Sequence, residues 1–172
     1  MNISDDVQHK IDIIDGWLAK LGIDRLLNNS YLGIDEEYSS KHSVRFTAEP
    51  NGKNFIPFDL YIESDAIRID VLGIPESFEW NNETLQNDAG SVKTFLVGLL
   101  THFCLFEFCG SPHTNSRLYF FDTGGREIQE YRIRGWQNLF ARWNCDRHLY
   151  QPAFSRAKKP AAKKFILAKQ LK

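Results

Sequence analysis

The sequence has few cysteines, and it lacks both a long apolar run and the pattern of a secretion signal. Its three cysteines are an odd number without the spacing of a disulfide framework, which is typical of a reducing compartment. The longest apolar stretch, residues 95–106, is interrupted by Thr101 and His102 and is shorter than the ~18 residues that a membrane helix needs. The acidic start lacks the basic and apolar parts of a signal peptide. We therefore expect a cytoplasmic protein with no membrane segment.

The sequence motifs of common enzyme classes are missing as well. The chain has no glycine-rich phosphate loop, no H-E-x-x-H and no G-x-S-x-G. We predict a non-catalytic protein without a cofactor. One alternative remains at Asp122-Thr123-Gly124, which resembles the catalytic turn of an aspartic protease and would require a dimer to supply the second carboxylate. Asp and Gly are also the residues that a hairpin turn favours.

Cysteine and histidine residues offer two further chemical alternatives. Four soft metal ligands of the types that bind zinc lie within twelve residues, although their spacing fits no established zinc pattern. They are His102, Cys104, Cys109 and His113. Cys145 and His148 lie three residues apart in a basic segment. As a cysteine nucleophile and its histidine partner, they would indicate a hydrolase. Free cysteines are common in protein cores, so we predict no metal site.

The formal net charge of −1 hides a division along the chain. Residues 24–90 hold thirteen acidic and five basic residues, whereas residues 91–172 hold five acidic and fourteen basic ones. A division of this size indicates charged partners. The length of 172 residues indicates one domain. We predict a single α+β domain over residues 1–155 and a basic tail over residues 156–172, which contains no acid.

Hydrophobic periodicity predicts the elements of the first half. Apolar residues from Val7 to Leu21 recur at spacings of three and four, which predicts a helix over residues 5–21. Alternation predicts a strand over residues 42–48 and a hairpin over residues 57–73. The acidic, polar residues 76–90 are expected to form an exposed loop.

The second half begins with a buried helix from Ser91 to about Thr101. Residues 103–109 are predicted to form a strand, and an extension of the helix is the alternative. A hairpin follows, with strands over residues 117–122 and 127–133 and a bulge near Gln129–Glu130. Aromatic spacing predicts a short helix over residues 136–143. The expected fold is an antiparallel sheet of two hairpin units, packed by N-terminal, central and C-terminal helices.

This order of elements resembles the type III secretion chaperone-like fold. The local similarity is LLTHFCLFEFC followed by LYFFDTGGREIQEYRI, a helix ending in two leucines and then a hairpin with glycine at its turn. The resemblance covers residues 5–145 as a pattern of elements without a diagnostic motif. It implies a protein that binds other polypeptides, often as a homodimer, and has no catalytic residues. The basic second half and the lysine-rich tail depart from the acidic character of that family.

Two charged surfaces are therefore the candidate sites. The first is an acidic surface over residues 35–83 that would capture a basic polypeptide, as an immunity-type toxin inhibitor or a secretion chaperone does. Its candidate residues are Asp35, Glu36, Glu37, Asp59, Glu63, Asp65, Glu76 and Glu79.

The alternative site is for RNA or single-stranded nucleic acid, within residues 117–172. Arginines there are interleaved with aromatic residues, the combination that single-strand binders use for phosphates and bases. Its candidate residues are Arg132, Arg134, Arg142, Arg147, Arg156, Lys158 and Lys159.

Overall fold

The computed structural model describes residues 3–48, 54–74, 76–109, 115–134 and 145–154. The chain divides into two compact units, Met1–Val97 and Gly98–Lys172, which we describe separately. The elements in chain order are α1 (Asp5–Lys20), a 3₁₀ turn (Leu26–Asn28), β1 (Leu32–Ile34), β2 (Ser43–Ala48), β3 (Phe58–Glu63), β4 (Ala66–Val71), β5 (Phe78–Asn81), α2 (Asn82–Thr101), β6 (Phe103–Cys109), β7 (Asn115–Phe121), β8 (Glu127–Arg134) and β9 (Cys145–Tyr150). None of the helical segments in these ranges is long and apolar enough to span a bilayer.

Helix α1 follows the predicted periodicity. Val7, Ile11 and Ile14 are fully buried on one face, and Asp5 and Asp6 lie in the first turn, where negative charge is favourable. The helix ends where Gly22 adopts a positive φ of 69°, and the amide of Ile23 donates to the carbonyl of Leu18. Leu21, which the periodicity assigned to the buried face, is instead exposed.

The N-terminal unit contains a five-stranded antiparallel sheet in the order β1-β2-β3-β4-β5. Alternate side chains of β2, β3 and β4 are buried, and the intervening ones are partly exposed, as the alternation predicted. Helix α1 packs on the buried side through β3. The polar residues therefore share the opposite side of the sheet.

Residues 76–90 are mostly exposed, as expected, but the expectation that they form a loop was wrong. Strand β5 occupies residues 78–81, and Phe78 and Trp80 turn their rings toward Phe95, at centroid distances of 4.3 and 5.7 Å. The carboxamide of Asn81 accepts a hydrogen bond from the amide of Thr84 and caps α2. Two aromatic residues at alternate positions thus outweigh the acidic composition of this segment.

The C-terminal unit contains a four-stranded antiparallel sheet in the order β8-β7-β6-β9. Residues 103–109 are confirmed as a strand, because β6 pairs along its length with β7 and along Cys104–Cys109 with β9. The hairpin of β7 and β8 is also confirmed. Its register shifts between Phe120 and Phe121, which leaves Ile128 as the extra residue, one position before the predicted bulge. Strand β9 was not anticipated from the sequence.

The α+β class is confirmed, but the single sheet is wrong, because the described strands form two sheets. Strands before α2 pair in chain order with one another, and strands after it form a separate sheet. The described ranges contain two helices rather than three. The predicted helix over residues 136–143 and the tail over residues 156–172 lie outside the described residues. A single domain over residues 1–155 remains a prediction.

Candidate protein-binding surface

We call the solvent-facing side of the N-terminal sheet its outer face. Strand register places its side chains in rows that run across the strands. One row contains Thr47, Asp59 and Asp70, and the next contains Arg45, Tyr61, Arg68 and Glu79. Residues that are far apart in the sequence therefore meet on one surface.

Arg45 is the centre of this surface. Its Nη1 lies 3.1 Å from Asp35 Oδ2 and its Nη2 lies 2.8 Å from Asp59 Oδ2, so one guanidinium holds two carboxylates. The hydrogen bond with Asp59 raises the pKa of Arg45 further above its usual value. The guanidinium carbon also lies 4.9 Å from the ring centre of Tyr38 and 5.5 Å from that of Tyr61. The turn after β1 is thereby attached to the sheet.

Arg68 approaches the same tyrosine from the neighbouring strand. Its guanidinium carbon lies 4.0 Å from the centre of the Tyr61 ring, within the range of a cation–π interaction. The Tyr61 ring is thus in contact with two arginines, Arg45 and Arg68, which lie opposite it on β2 and β4. The result is a ladder of alternating arginine and tyrosine across three strands.

The eight predicted acidic residues are not equivalent in the structure. Asp59, Glu63 and Glu79 lie on strands of the outer face, and Asp35 joins them through Arg45. The remaining four are exposed in turns and loops: Glu36 and Glu37 after β1, Asp65 between β3 and β4, and Glu76 before β5. Three further members of this surface, Arg45, Tyr61 and Arg68, were not predicted from the sequence, although their alternation in β2, β3 and β4 carried the signal.

A buried lysine on the covered side of the sheet also escaped the sequence argument. Lys10 is 7% exposed and donates to the carbonyl of Ser64 at 2.9 Å. Burial lowers the pKa of Lys10. It lies beside a cavity of about 370 Å³, whose lining also includes Ile13, Trp17 and Leu85. The hydrogen bond to Ser64 gives this lysine a structural role that fastens α1 to the β3–β4 turn.

The arginines of the C-terminal sheet share one of its faces with acidic residues. Arg132, Arg117, Glu107 and Arg147 form one row across β8, β7, β6 and β9. Arg147 Nε lies 2.7 Å from Glu107 Oε2, and Arg132 contacts both carboxylate oxygens of Glu130 at 3.0 and 3.2 Å. Two of the predicted phosphate-binding arginines thus already hold carboxylates.

Partly exposed aromatic residues lie on the opposite face of the same sheet. His148 stacks on Phe108 with an interplanar angle of 7° and a centroid distance of 5.8 Å, and Tyr150 follows at 6.5 Å. Because strand side chains alternate, these rings point away from the side of Arg132 and Arg147. The interleaving seen in the sequence is therefore divided between two faces. The side chain of Arg134 and residues Arg142, Arg156, Lys158 and Lys159 lie outside the described part of the structure.

The proposed cysteine and histidine ligands do not assemble a metal site within the described residues. Cys104 is completely buried, its pKa is raised by that burial, and its thiol faces the carbonyls of Gly98 and His102. The Nδ1 atom of His102 lies 2.7 Å from Thr101 Oγ1, and burial lowers the pKa of this ring. Cys104 is therefore a core residue, which is the role that free cysteines commonly have. His113 lies outside the described residues.

Cys145 is disulfide-bonded, and its Cα partner in the β6–β9 register is Cys109. A sulfur in a disulfide is not a thiolate nucleophile. The number and spacing of the cysteines indicated a reducing compartment, and the disulfide bond removes that support. Strand pairing brings the two positions together although 35 residues separate them in the sequence.

Asp122 serves the turn in which it lies. Its Oδ1 accepts hydrogen bonds of 2.9 Å from the amides of Gly124 and Arg126, and Gly125 adopts a positive φ of 85°. The hydrogen bond from the Arg126 amide is the main cause that lowers the pKa of Asp122. An aspartic protease instead needs two carboxylates that share a proton. The Asp-Thr-Gly sequence is explained here by its hairpin turn.

Cys104 provides a direct chemical test of the C-terminal core. We expect iodoacetamide to leave Cys104 unmodified in the native protein and to label it after unfolding in urea, because a buried thiol with a raised pKa is unreactive. Peptide mass spectrometry with and without denaturant measures both states. Rapid labelling of Cys104 under native conditions would contradict the buried position.

Comparison with known proteins does not identify a relative. No protein-family model matches the chain, and neither curated proteins nor solved structures gave a significant match.

Proposed function

We propose that the protein is a non-catalytic binding protein that captures a basic partner polypeptide on the outer face of its N-terminal sheet. The observation that supports this best is the Arg45–Tyr61–Arg68 ladder on an acidic sheet face. Tyrosine and arginine are enriched in the centres of protein interfaces, where large, rigid side chains give contact area at low entropic cost. An immunity-type toxin inhibitor or a secretion-chaperone-like protein acts in this way.

Charge supports a basic partner. The unit Met1–Val97 has seventeen acidic and eight basic residues in its sequence. On the outer face and its rim, five carboxylates outnumber two arginines: Asp35, Asp59, Glu63, Asp70 and Glu79 against Arg45 and Arg68. An excess of one sign steers an oppositely charged partner and raises its association rate.

Exposed apolar side chains flank the ladder. Tyr38 is 63% exposed beside Arg45, and Leu72 is 68% exposed at the end of β4. An interface gains most of its free energy from such residues once a partner removes them from water. Tyr38 and Leu72 thus add exposed contact area beside the ladder, which a polypeptide partner would cover.

The nucleic-acid alternative has less support among the described residues. Arg132 and Arg147 are paired with Glu130 and Glu107, and the partly exposed rings of β6 and β9 lie on the other face of the sheet. A single-strand binder needs cations and stacking rings on one surface. A cytoplasmic location and a homodimer remain proposals from the sequence, and the location no longer draws support from the cysteines, because Cys145 is disulfide-bonded.

The test compares three affinity-tagged baits in extracts of the source cells. We expect the wild-type chain to capture one basic polypeptide and the Glu63→Lys/Glu79→Lys variant to retain at least tenfold less of it, as measured by quantitative mass spectrometry. An Asp12→Lys/Asp24→Lys variant makes the same charge change on α1 and just beyond it, and should bind as the wild type does. Thermal unfolding of all three checks that they are folded.

Two results would overturn the proposal. Equal loss by both variants would show that net charge, and not the outer face, attracts the partner. Capture that disappears after ribonuclease treatment and falls steeply with salt would favour the nucleic-acid alternative.

A further inference from the structure

Two carboxylates lie directly opposite each other on the outer face. Asp59 on β3 and Asp70 on β4 are Cα partners in the register, and like charges at such positions repel. Asp59 shares Arg45 with Asp35. The cation closest to Asp70 is Arg68, whose Nε lies 3.6 Å from Asp70 Oδ1, too far for a hydrogen bond.

Two oxygen atoms of this row, one on Asp70 and one on Thr47, are not satisfied within the described protein. Asp70 Oδ1 and Thr47 Oγ1 are both inaccessible to solvent and lack a hydrogen-bond partner. Thr47 is the Cα partner of Asp59 on the other side, so the three side chains form one line across β2, β3 and β4. Buried polar atoms without partners are costly in native proteins, so this row is short of hydrogen-bond donors.

A groove of about 630 Å³ opens beside this row. Its polar lining includes Arg45, Thr47, Asp59 and Asp70, and its apolar lining includes Pro57, Leu72 and Ile74. Gly73 adopts a positive φ of 88° between Leu72 and Ile74 and holds the chain in the turn that forms the apolar rim. The groove is therefore apolar along one side and carries two carboxylates and one arginine along the other.

Resting on the proposed function, we propose that this groove takes a lysine side chain of the partner polypeptide. An ammonium group carries three donors, which suit the carboxylates of Asp59 and Asp70, whose side chains are 24% and 35% exposed. The four methylene groups of a lysine are suited to the apolar rim of Leu72 and Ile74. The cation also adds to Arg45 and Arg68 in offsetting the repulsion between the two carboxylates.

A lysine analogue tests this groove without the partner. In an NMR titration with Nα-acetyl-lysine methylamide, whose side-chain ammonium is free, we expect saturable chemical-shift changes of the amides of Thr47, Asp59, Asp70 and Leu72. The norleucine analogue, which lacks the ammonium, should produce none, and the arginine analogue should bind more weakly. Asp70→Asn should weaken lysine binding about tenfold and raise the melting temperature, because the charge repulsion is removed. Asp12→Asn makes the same change on α1 and should alter neither quantity.

Equal shifts with lysine and norleucine, or unchanged binding by Asp70→Asn, would overturn the proposal. The two proposals also fail separately. Suppose that the Glu63→Lys/Glu79→Lys bait loses the partner while the lysine analogue leaves the amide shifts of the groove unchanged. In that case the proposed lysine site is wrong and the proposed binding surface stands. If lysine binds the groove but the bait comparison shows no dependence on the outer face, the groove stands and the proposed function falls.

Discussion

Replacing Arg45 with methionine is expected to lower the free energy of unfolding by about 2 kcal/mol. The substitution keeps the volume of the stem but leaves Asp35 and Asp59 without their shared cation in a setting where both side chains are about a quarter exposed. Breaking a fully buried ion pair costs about 3–5 kcal/mol, and partial exposure reduces that cost. Urea denaturation monitored by circular dichroism measures the difference.

Arg68→Met is the matched control for this prediction. It removes an arginine from the same Tyr61 ladder, but the nearest carboxylate oxygen lies 3.6 Å away and the side chain is more exposed. We expect a loss below about 1 kcal/mol. Asp59→Asn in the Arg45→Met background should recover part of the stability, because it removes one uncompensated charge. Equal losses for the two arginine variants would contradict the central role of Arg45.

The second large effect is expected at Gly98, near the end of α2. A Cβ at this position would lie 2.7–3.0 Å from three ring carbons of Phe120, a buried side chain that has little room to move. We expect Gly98→Ala to destabilise the protein by about 2 kcal/mol, despite the higher helix propensity of alanine. The measurement is again the free energy of unfolding in urea.

Gly16→Ala makes the same chemical change as Gly98→Ala, but it is expected to raise the free energy of unfolding. Nothing lies within 4 Å of a Cβ at Gly16, which is exposed in the interior of α1. We expect a gain of about 0.5–1 kcal/mol. Phe120→Leu should lessen the cost of Gly98→Ala if the overlap with the ring is its cause. A gain in stability from Gly98→Ala would contradict the close contact between Gly98 and the ring of Phe120.

Local periodicity predicted the elements that bury one complete face. The helix α1, the strand β2 and both hairpins follow from spacings visible within ten or fifteen residues. Strand β5 was missed because it has four residues in an acidic segment, and its burial depends on the distant Phe95. Strand β9 was missed because CDRHLY shows no alternation of apolar and polar residues. The division into two sheets depends on strand pairing, which no local pattern specifies.

The sequence predicted the negative charge of the candidate surface but not the arrangement of its residues. Composition located the acidic residues over residues 35–83, yet it treated them as equivalent. Register across β2, β3 and β4 separates Asp59, which holds Arg45, from Asp70, whose Oδ1 lacks a hydrogen bond. The position of Tyr61 between two arginines also depends on pairing with residues sixteen positions before it and seven after it. Contacts of this range cannot be derived from sequence spacing alone.

The most direct test of the outer face as the binding surface is site-specific photo-cross-linking. The photoreactive residue p-benzoylphenylalanine is introduced at Tyr38, beside the arginine–tyrosine ladder, or at Ile13, which is 39% exposed on α1. The proposal predicts that Tyr38 cross-links one basic polypeptide in living cells and that Ile13 does not. Cross-linking from Ile13 alone, or from Tyr38 to RNA, would contradict it.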